Sequence, residues 1–417
     1  MPTVAYLANL FPSPVEPYVF EEIEELRGRG VQVIACSARR VAKTPQESRL
    51  ESMAAGTLYL QPLGLVILMR ASWLCLRKFT LLAGLLARVL AQGNESPRRR
   101  AHALLHTLLG ACFAIKLEGR GVDHIHVHHG YFASWIAMVA ARLLGIEYSI
   151  TLHGSDLLLH GAYLDTKLKQ CSFCVTVSEF NRRYVLQHYP EVETAKILVR
   201  RIGVDSPCNH ESSAPADLDP QRLTMLAVGR LHPVKDHAFL LHACYELKIR
   251  GTAFLCLIAG EGPQRPWLEH LIRNLGLERQ VKLVGHLCRE DLDACYGLCD
   301  LVVLTSRSEG IPLVLMEAMV RGKTVLAPAI TGIPELVKDG ETGFLYRAGS
   351  LEDLVSKIEL IRSSQLVLPR LHRAARQHVI EHFDRKKNQA AVVELILSRI
   401  AHKQRRDPHE NPVLQQI

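Results

Sequence analysis

Aromatic residues are scarce in this chain, where Phe, Trp and Tyr together make up 6% of the 417 residues. This scarcity argues against a single-strand nucleic-acid binder, because such proteins stack successive bases on aromatic side chains. A large excess of one charge is also missing, since the formal net charge is only +8. That value excludes a histone-like polybasic protein and is compatible with an anionic ligand or an anionic lipid surface.

The chain also lacks the marks of a disulfide framework or a zinc finger. Its eleven cysteines are an odd number scattered through apolar runs, which predicts buried thiols in a reducing compartment. Cys171 and Cys174 form a CxxC pair without a second pair at zinc-finger spacing. Burial is therefore favoured, with metal binding and redox chemistry as alternatives. The first residues have no basic region and no cleavage site, which predicts a β-strand, no signal peptide and a cytoplasmic location.

A large apolar fraction is present, 48% against 22% charged residues, and the length suggests two or three domains of ~150 residues. From residue 222 onward, short apolar runs alternate with helical stretches, and Asp236 is predicted to cap a helix that reaches about residue 250. Continuous apolar runs are typical of parallel strands covered by helices on both faces. The predicted strands are 223–228, 253–259, 281–284, 301–305 and 324–327. They indicate a doubly wound α/β domain whose ligands bind at the carboxyl ends of the strands.

The first half repeats this pattern, with strands predicted at 4–7, 31–36, 124–127, 148–152 and 174–177. A polar, proline-rich stretch at 206–220 is the predicted linker. The expected organisation is a Rossmann-like domain at 1–205, a second one at 221–385, and a helix with a polar tail at 386–417. Two such domains are expected to face each other across a cleft, a usual place for a small-molecule site.

One segment departs from the α/β pattern, because residues 52–94 contain no acidic side chain. On a single helix, Arg70, Arg77 and Arg88 would lie within about 20° of one another. A basic stripe opposite apolar residues predicts that the helical segment 58–92 lies in an anionic membrane interface. Its arginines and Pro62 interrupt it too often for a transmembrane span. The alternative is a helix pair packed on the first domain with solvated arginines.

The sharpest motif is the stretch 308–318, SEGIPLVLMEA, which follows a predicted strand. Pro312 suits the first turn of a helix, because its missing N–H would have had no acceptor there. That helix would direct the N–H groups of Leu313 and Val314 toward an anion. Glu309 precedes the helix, and Glu317 lies more than a turn inside it, where a carboxylate can accept hydrogen bonds from a ribose diol. A cap and a surface glutamate are the alternative.

A second motif follows the strand 223–228. Arg230 and Lys235 lie there at a strand end, just after Gly229 and before a helix, where two cations can converge on a diphosphate. Solvated surface cations are the alternative for such a pair. Gly260 begins a GEGP turn after the next strand, which allows backbone to approach a ligand.

Together these motifs resemble the retaining GT-B glycosyltransferases of family four. The resemblance rests on GRL with a following KD, the IAGEGP turn, SEGIPLVLMEAM and the stretch 332–345, GIPELVKDGETGFL. The first half agrees through HVH at 126–128, TLHGSD at 151–156, VSE at 177–179 and RIGVD at 201–205. The resemblance covers roughly residues 1–385. The opening FPSPVEPYVFEEIEEL most resembles the branch that builds bacterial exopolysaccharide repeat units on a lipid carrier.

The resemblance implies a role for each motif. Arg230 and Lys235 would hold the diphosphate of a nucleotide-sugar donor and stabilise charge on the leaving group. Glu309 would contact donor-sugar hydroxyls, Glu317 the ribose, and His153 the transferred sugar. The remaining donor-side positions are Gly229, Gly260, Gly310, Ile311, Pro312, Leu313 and Val314. The acceptor-side positions are Ser13, Glu16, His128, Ser178 and Glu179.

In two places the sequence differs from the family pattern. Residues 9–16 stand where many members have a Gly-Gly loop, so the acceptor or phosphate contact there is expected to differ. Pro312 replaces a common glycine, which removes one N–H donor.

No metal and no cofactor are expected, because two cations and a helix N-terminus supply the positive charge. The histidines at 124, 126 and 128 alternate on one strand face, a spacing that can hold zinc, but in this family a histidine pair often stands there. Front-face displacement is the expected mechanism, with the leaving phosphate helping to deprotonate the acceptor hydroxyl.

The expected function is hexosyl transfer from a nucleotide-diphosphate sugar to a lipid-linked saccharide acceptor in exopolysaccharide or cell-envelope glycan synthesis. The expected location is the inner face of the cytoplasmic membrane. A nucleotide-sugar epimerase on the same fold and a non-catalytic nucleic-acid or anion binder are the alternatives. The cations cluster with aliphatic helices and lack interleaved aromatics, which disfavours nucleic acid as a partner.

Overall fold

The computed structural model describes residues 1–13, 16–40, 48–159, 161–205, 222–364 and 368–406. They form two compact units. The first unit consists of Met1–Val177, Asn181–Arg200 and the chain from Lys387 on. The second unit consists of Ser178–Phe180 and Arg201–Lys386. The predicted linker 206–220 and the end of the tail, 407–417, lie outside the described residues.

These units differ from the predicted boundaries at 205 and 386. Residues 201–205 belong to the second unit because Val204 forms a parallel β-bridge with Asp384, and its N–H donates to Phe383 O at 3.0 Å. The C-terminal helix belongs to the first unit because it buries Val393 and Ile396 among residues of the first sheet. Burial of apolar side chains, and not position along the chain, therefore decides the assignment of both segments.

The first unit is built on a seven-stranded sheet in which every strand pairing is parallel, in the order β3-β2-β1-β4-β5-β6-β7. Its strands are β1 (Thr3–Leu10), β2 (Gln32–Arg39), β3 (Leu58–Tyr59), β4 (His124–His128), β5 (Glu147–Leu152), β6 (Phe173–Thr176) and β7 (Ile197–Val199).

Helices cover both faces of this sheet and form two apolar clusters with it, as expected for strands with continuous apolar sequences. The helices are α1 (Pro17–Gly28), α2 (Ser48–Ala55), α3 (Leu65–Arg77), α4 (Phe79–Ala91), α5 (Pro97–Leu117), α6 (Phe132–Leu144), α7 (Ser155–Leu158), α8 (Leu164–Gln170) and α9 (Glu179–His188). Helix α6 is buried nearly all round and is capped after Leu144 by Gly145, whose φ of 71° is the left-handed conformation that glycine adopts without strain.

The second unit contains a six-stranded parallel sheet in the order β10-β9-β8-β11-β12-β13. Its strands are β8 (Leu223–Val228), β9 (Phe254–Ala259), β10 (Val281–Gly285), β11 (Leu301–Val303), β12 (Thr324–Pro328) and β13 (Phe344–Tyr346). The helices are α10 (His237–Ile249), α11 (Arg265–Asn274), α12 (Arg289–Leu298), α13 (Leu313–Val320), α14 (Ile333–Leu336), α15 (Leu351–Ser363), α16 (Leu368–His382) and α17 (Arg385–Arg406), which continues into the first unit.

Each sheet has one point at which the strand order reverses. In the first unit it lies between β1 and β4, and in the second between β8 and β11. Loops leaving the carboxyl ends of two such strands turn to opposite sides, which opens the crevice where doubly wound sheets bind ligands. The doubly wound prediction is therefore confirmed for both units, and the two reversal points locate the candidate sites.

Every strand predicted above is present, with ends that differ by up to three residues. Three short strands were not predicted: β3, β7 and β13, each two or three residues long. Asp236 does not act as the predicted cap. Its side chain makes no capping hydrogen bond and its carboxylate pairs with Arg307 at 2.6 Å.

The single-helix interpretation of segment 58–92 is wrong. Lys78 leaves the helical conformation between α3 and α4, and its ammonium donates to Leu143 O at 2.6 Å. Arg88 is 17% exposed and pairs with Glu95 and Asp165 at 2.8 and 3.2 Å, so it does not continue a basic stripe. Within the described ranges, no helix is both long and apolar enough to cross a membrane.

Candidate functional site

The reversal point of the second unit brings together the loops that follow β8 and β11. The Thr305 hydroxyl donates to Lys235 O at 3.1 Å, and the Arg307 N–H donates to Val234 O at 2.8 Å. These bonds fix the segment 233–236 against the segment that leads into α13. Two motifs about 75 residues apart in sequence thus form one surface.

Lys235 and Glu309 are in direct contact on this surface. Lys235 Nζ lies 2.5 Å from Glu309 Oε1, and the two side chains are 19% and 14% exposed. An ammonium group has three N–H donors, so Lys235 can bind the Glu309 carboxylate and still donate to an anion. The prediction that these two residues belong to one site is consistent with this contact.

Arg230 follows the same strand as Lys235 but is exposed. No ion pair or hydrogen bond of its guanidinium occurs within the described parts of the chain. An exposed guanidinium at a strand end can pair with phosphate oxygens through two parallel N–H bonds.

Gly229 and Gly260 lie where two turns touch. A Cβ on Gly260 would lie 2.0 Å from Gly229 O, and its φ is 144°, a conformation that other residues rarely adopt. The Gly229 N–H donates to Ala259 O at 2.9 Å and the Gly260 N–H to Gly285 O at 2.7 Å. A side chain is thus excluded at Gly260, so the turn after β9 approaches Gly229 through backbone alone.

Helix α13 begins at Leu313, so Pro312 precedes the helix and does not stand in its first turn as predicted. Its ψ of 119° is extended, and its carbonyl accepts the Leu315 N–H at 3.2 Å. The first N–H groups of a helix have no acceptor within the helix, and those of α13 include Leu313 and Val314. Gly310 and Ile311 are buried, and a Cβ on Gly332 would lie 2.1 Å from Gly310 O, so the GIPEL loop packs directly on this turn.

Glu317 is held by helix α12. Its Oε2 accepts the Tyr296 hydroxyl at 3.0 Å, and Arg289 Nη1 lies 3.5 Å from Oε1. Burial raises the pKa of Tyr296 well above its ordinary value and the charge of Glu317 raises it further, so this hydroxyl stays a donor. The carboxylate is 18% exposed and thus keeps acceptor capacity for another donor. Tyr296 and Arg289 were not predicted.

In the first unit the reversal point carries a cluster of histidines. His128 ends β4 and is fully buried, and its Nδ1 lies 2.9 Å from Nε2 of half-buried His153, which follows β5. Burial lowers the pKa of His153 well below its ordinary value, and the neighbouring His129 lowers it further. His153 is therefore a neutral imidazole at pH 7. Tyr18 of α1 stacks on it with 4.4 Å between ring centroids.

Asp156 organises this cluster, and the sequence motif gave it no role. It is fully buried and accepts the N–H groups of His153 (3.1 Å), Gly154 (2.8 Å), Leu157 (3.1 Å) and Gly130 (2.9 Å). One carboxylate thus joins the loops after β4 and β5. Burial acts to raise the pKa of Asp156, but the nearby charge of His129 and the Gly130 N–H hold it below its ordinary value.

His129 lies between two carboxylates. Its Nε2 is 3.0 Å from Glu16 Oε1, and its Nδ1 is 3.6 Å from Asp156 Oδ2. Burial works against its charge, yet Asp156 and Glu16 raise the pKa of His129 to about 9. His129 is thus a cation at neutral pH, with a φ of 71° that is uncommon for a residue other than glycine.

The other acceptor-side predictions lie in different places. Ser13 is half-buried and its carbonyl accepts the Glu16 N–H at 3.2 Å. Ser178 is buried and belongs with Glu179 to the second unit. There the Glu335 carboxylate accepts the N–H groups of Glu179 and Phe180 at 3.1 and 2.7 Å.

The strand histidines at 124, 126 and 128 do not come together as the trio whose spacing could hold zinc. His124 Nε2 lies 2.7 Å from Ser149 Oγ, and the geometry instead brings Glu22, His126 and His128 within 4.8 Å of one another. Both ring nitrogens of His126 already lie within 3.1 Å of hydroxyls, those of Ser149 and Thr151. The absence of a metal stays a prediction. The Cys171 thiol donates to Leu168 O, and burial raises the pKa of Cys171 to about 12, which disfavours a thiolate ligand or nucleophile.

Comparison with known families assigns both halves of the chain. A sequence profile described as glycosyl transferases group 1 matches residues 210–378, and one described as glycosyltransferase family 4 matches residues 15–206. The chain is 33% identical over 204 residues to the putative colanic acid biosynthesis glycosyltransferase WcaL of Salmonella typhimurium, covering 47% of the chain and 49% of that protein. It is 34% identical over 140 residues to alpha-D-kanosaminyltransferase of Streptomyces kanamyceticus, covering 33% of the chain and 36% of that protein. The chain thus spans about half or less of these relatives' lengths.

Solved structures share the whole fold. Sucrose-phosphate synthase from Thermosynechococcus elongatus superposes with a TM-score of 0.74 at 18% identity, covering 96% of this chain and 100% of that one. Anabaena HepE in complex with UDP and glucose gives a TM-score of 0.70 at 19% identity, covering 95% and 100%.

Proposed function

Because the chain belongs to the GT-B glycosyltransferases of family four, we propose that it transfers a hexosyl unit from a nucleotide-diphosphate sugar to a saccharide acceptor with retention of configuration. The contact between Lys235 and Glu309 at the reversal point of the second sheet carries this proposal. It joins a cation suited to a diphosphate and a carboxylate suited to sugar hydroxyls.

The donor is proposed to lie along the carboxyl ends of β8 and β11. Arg230 and Lys235 contact the diphosphate, the former through a bidentate fork and the latter as a point charge. The backbone from Gly310 to Val314 adds the N–H groups and the positive end of α13. Glu317, oriented by Tyr296, accepts hydrogen bonds from the ribose hydroxyls.

In the proposed reaction the acceptor oxygen attacks the anomeric carbon on the face from which the diphosphate departs. The bond between that carbon and the phosphate oxygen breaks, and the hydroxyl proton passes to the departing diphosphate. The two cations and the helix N-terminus stabilise the charge that develops on the diphosphate. These groups are already in position before the reaction begins. Metal independence is part of the proposal because these groups supply the positive charge.

The acceptor is proposed to be a lipid-linked saccharide in exopolysaccharide or cell-envelope glycan synthesis. The WcaL relative is named for colanic acid biosynthesis, which supports this class of product. A cavity of about 490 Å³ lies in the first unit, lined by Arg39, Arg40, Gln61, Pro62 and Leu63. Two exposed arginines at the carboxyl end of β2 suit a lipid diphosphate.

The protein is proposed to bind peripherally to the anionic inner face of the cytoplasmic membrane. The exposed face of α3 supports this proposal. Leu65, Val66, Met69, Trp73 and Leu76 are between 57% and 72% exposed and fall within about 100° of one another around the helix. The opposite side of α3 packs on the core through Ala71 and its neighbours. Arg70 and Arg77 border the exposed face, and Arg70 pairs with Glu118 at 3.1 Å. An apolar face bordered by arginines suits an anionic bilayer surface.

The decisive experiment measures release of nucleoside diphosphate from a panel of UDP- and GDP-sugars, with and without a lipid-linked oligosaccharide acceptor, in the presence of a chelator. Release that requires the acceptor, together with a product retaining the anomeric configuration, is expected. Interconversion of the nucleotide sugar without release would identify an epimerase. Salt-dependent binding of DNA or RNA without turnover would identify a nucleic-acid binder, and loss of activity with the chelator would contradict metal independence.

A further inference from the structure

A chain of buried polar groups runs from α1 to His153. The Tyr6 hydroxyl contacts Glu22 Oε2 and lies 2.7 Å from His128 Nε2, and His128 Nδ1 lies 2.9 Å from His153 Nε2. Tyr6, Glu22 and His128 are all at most 5% exposed. Hydrogen bonds sealed from water have few alternative partners, so the proton positions along this chain are determined by its members.

The proton on Tyr6 can be assigned first. Burial raises the pKa of Tyr6 well above its ordinary value and the charge of Glu22 raises it further, so the phenol keeps its proton. An ionised carboxylate only accepts hydrogen bonds. Tyr6 therefore donates to Glu22, and its oxygen is left to accept from His128 Nε2.

A second distance agrees with this direction. His128 Nε2 lies 3.3 Å from Glu22 Oε2 as well as 2.7 Å from the Tyr6 oxygen. A nitrogen lone pair facing two oxygen atoms would be repelled by both, whereas an N–H is attracted by both. His128 therefore carries its proton on Nε2.

The other nitrogen of His128 is then an acceptor. An imidazole that carries one proton has one donor and one acceptor nitrogen, so a proton on Nε2 leaves Nδ1 without one. His128 Nδ1 thus accepts from His153 Nε2–H. For neutral His153, this leaves Nδ1 without a proton.

We infer that Glu22, acting on His128 both directly and through Tyr6, is a positioning residue that holds His153 as the Nε2-protonated tautomer, so that His153 Nδ1 accepts a hydrogen bond from a substrate hydroxyl. The last step rests on the proposed function, in which His153 contacts the transferred sugar. The inference defines the ligand group at this position as an O–H donor. A fluorine in its place accepts but cannot donate, so a deoxyfluoro donor sugar loses this contact.

The tautomer is measured directly by long-range ¹H–¹⁵N NMR of the full chain labelled at histidine, with His153 assigned by its loss in His153→Gln. The expected signature is a protonated Nε2 and an unprotonated Nδ1. The reverse tautomer, or a doubly protonated His128, would overturn the inference. This measurement needs no substrate, so it stands or fails independently of sugar transfer.

Two variants separate tautomer control from structural support. In Glu22→Gln the amide can donate to Tyr6, which frees the Tyr6 proton for His128 Nε2, so the reverse tautomer of His153 is expected to appear. Tyr6→Phe keeps the carboxylate beside His128 Nε2, so the original tautomer is expected to persist. Tyr148→Phe removes another buried hydroxyl, which donates to Lys167 O at 2.6 Å, and is the matched control. An unchanged tautomer in Glu22→Gln would contradict the inference.

Activity provides the second readout. Replacing a residue that orients a metal-ligating histidine typically costs ~10- to 100-fold in activity. By the same kind of control over a histidine, Glu22→Gln is expected to lower kcat/KM by a similar factor, with no change for Tyr148→Phe. For the wild type, kcat/KM is expected to be lower with the deoxyfluoro donor than with the normal donor. This difference is expected to disappear in Glu22→Gln. Equal sensitivity of both proteins to that analogue would reject the proposed contact. A wild type without acceptor-dependent release would instead reject sugar transfer itself.

Discussion

Lys235 Nζ lies 2.5 Å from Glu309 Oε1, although 74 residues separate them along the chain. The contact exists because β8 and β11 are neighbours at the point where the strand order reverses. It also means that Glu309 compensates the charge of Lys235 until an anion binds. Binding of the diphosphate is thus expected to redistribute the hydrogen bonds of Lys235 between the carboxylate and the phosphate oxygens.

Replacing Lys235 by Met should remove the point charge and keep most of the side-chain volume. Because a lost charge-stabilising donor typically costs 10²–10³ in rate, kcat is expected to fall by about that factor. Steady-state release of nucleoside diphosphate measures it. Lys282→Met, whose exposed ammonium donates to Glu278 O, is the control, and equal activity of the two variants would contradict the assigned role.

Glu317→Ala should abolish the thermal protection that a nucleotide sugar gives. A ligand that binds only the folded state raises apparent stability, and loss of the ribose contact weakens that binding. The shift in Tm with saturating donor measures the effect. Glu278→Ala on the surface of the same unit should keep full protection, and protection retained by Glu317→Ala would remove the ribose assignment.

His129 should make the folded state less stable as the pH rises from about 6.5 to about 9. Its pKa is raised to about 9 in the folded protein, so the folded state holds a proton that the unfolded state releases above its ordinary pKa of about 6.5. The stabilisation is fully present below pH 6.5, lost by about pH 9, and amounts to about 3 kcal/mol.

Denaturant titrations across this window compare wild type with His129→Gln. The difference in free energy of unfolding should shrink as the pH rises. Burial lowers the pKa of Lys167 to about 7, which gives both proteins an opposite slope, so the difference between them is the informative quantity. His242→Gln, at an exposed position, should track the wild type. Parallel curves for His129→Gln and wild type would refute the ion pairing.

Trp73→Ser combined with Leu76→Ser should weaken binding to vesicles that contain anionic lipid. The two side chains are exposed on one face of α3, and burial of apolar area in the interface supplies binding energy. Sedimentation with phosphatidylglycerol vesicles measures the loss. Trp267→Ser, an exposed tryptophan on α11, should bind as the wild type does, and equal loss in both would place the contact elsewhere.

Arg39→Gln combined with Arg40→Gln should raise KM for a lipid-diphosphate acceptor and leave KM for the nucleotide sugar unchanged. Each arginine is held beside an aromatic ring, that of Phe132 or Tyr59, and a neutral amide cannot form the paired N–H bonds to phosphate. Arg29→Gln, at an exposed ion pair with Glu25, is the control. A raised KM for the nucleotide sugar would show that these arginines contact the donor and not the acceptor.

Much of the fold could be predicted because parallel strands buried on both faces have continuous apolar sequences. The runs that became β8 and β9, for example, are readable without any knowledge of their neighbours. The strands β3, β7 and β13 escaped prediction because two or three residues carry no measurable periodicity. Helical spacing also could not predict which way the Arg88 side chain points. The helix breaks at Lys78, and Arg88 pairs with the carboxylates of Glu95 and Asp165.

The candidate site divides in the same way. Motifs placed Lys235 and Glu309 after strand ends and Glu317 inside the helix that follows, where local sequence suffices. Asp156, His129, Tyr296 and Glu22 were not assigned, because their roles depend on partners from other elements, such as the backbone N–H groups that converge on Asp156.

The order of amino acids is enough to define which segments form the two parallel sheets and which turns carry chemical groups, since hydrophobic runs, glycines and prolines act over a few residues. Which of those groups meet, and which histidine carries charge, depends on the three-dimensional fold. Those properties arise from burial and from charges brought within a few ångströms by distant parts of the chain, and such distances are not encoded in any local pattern.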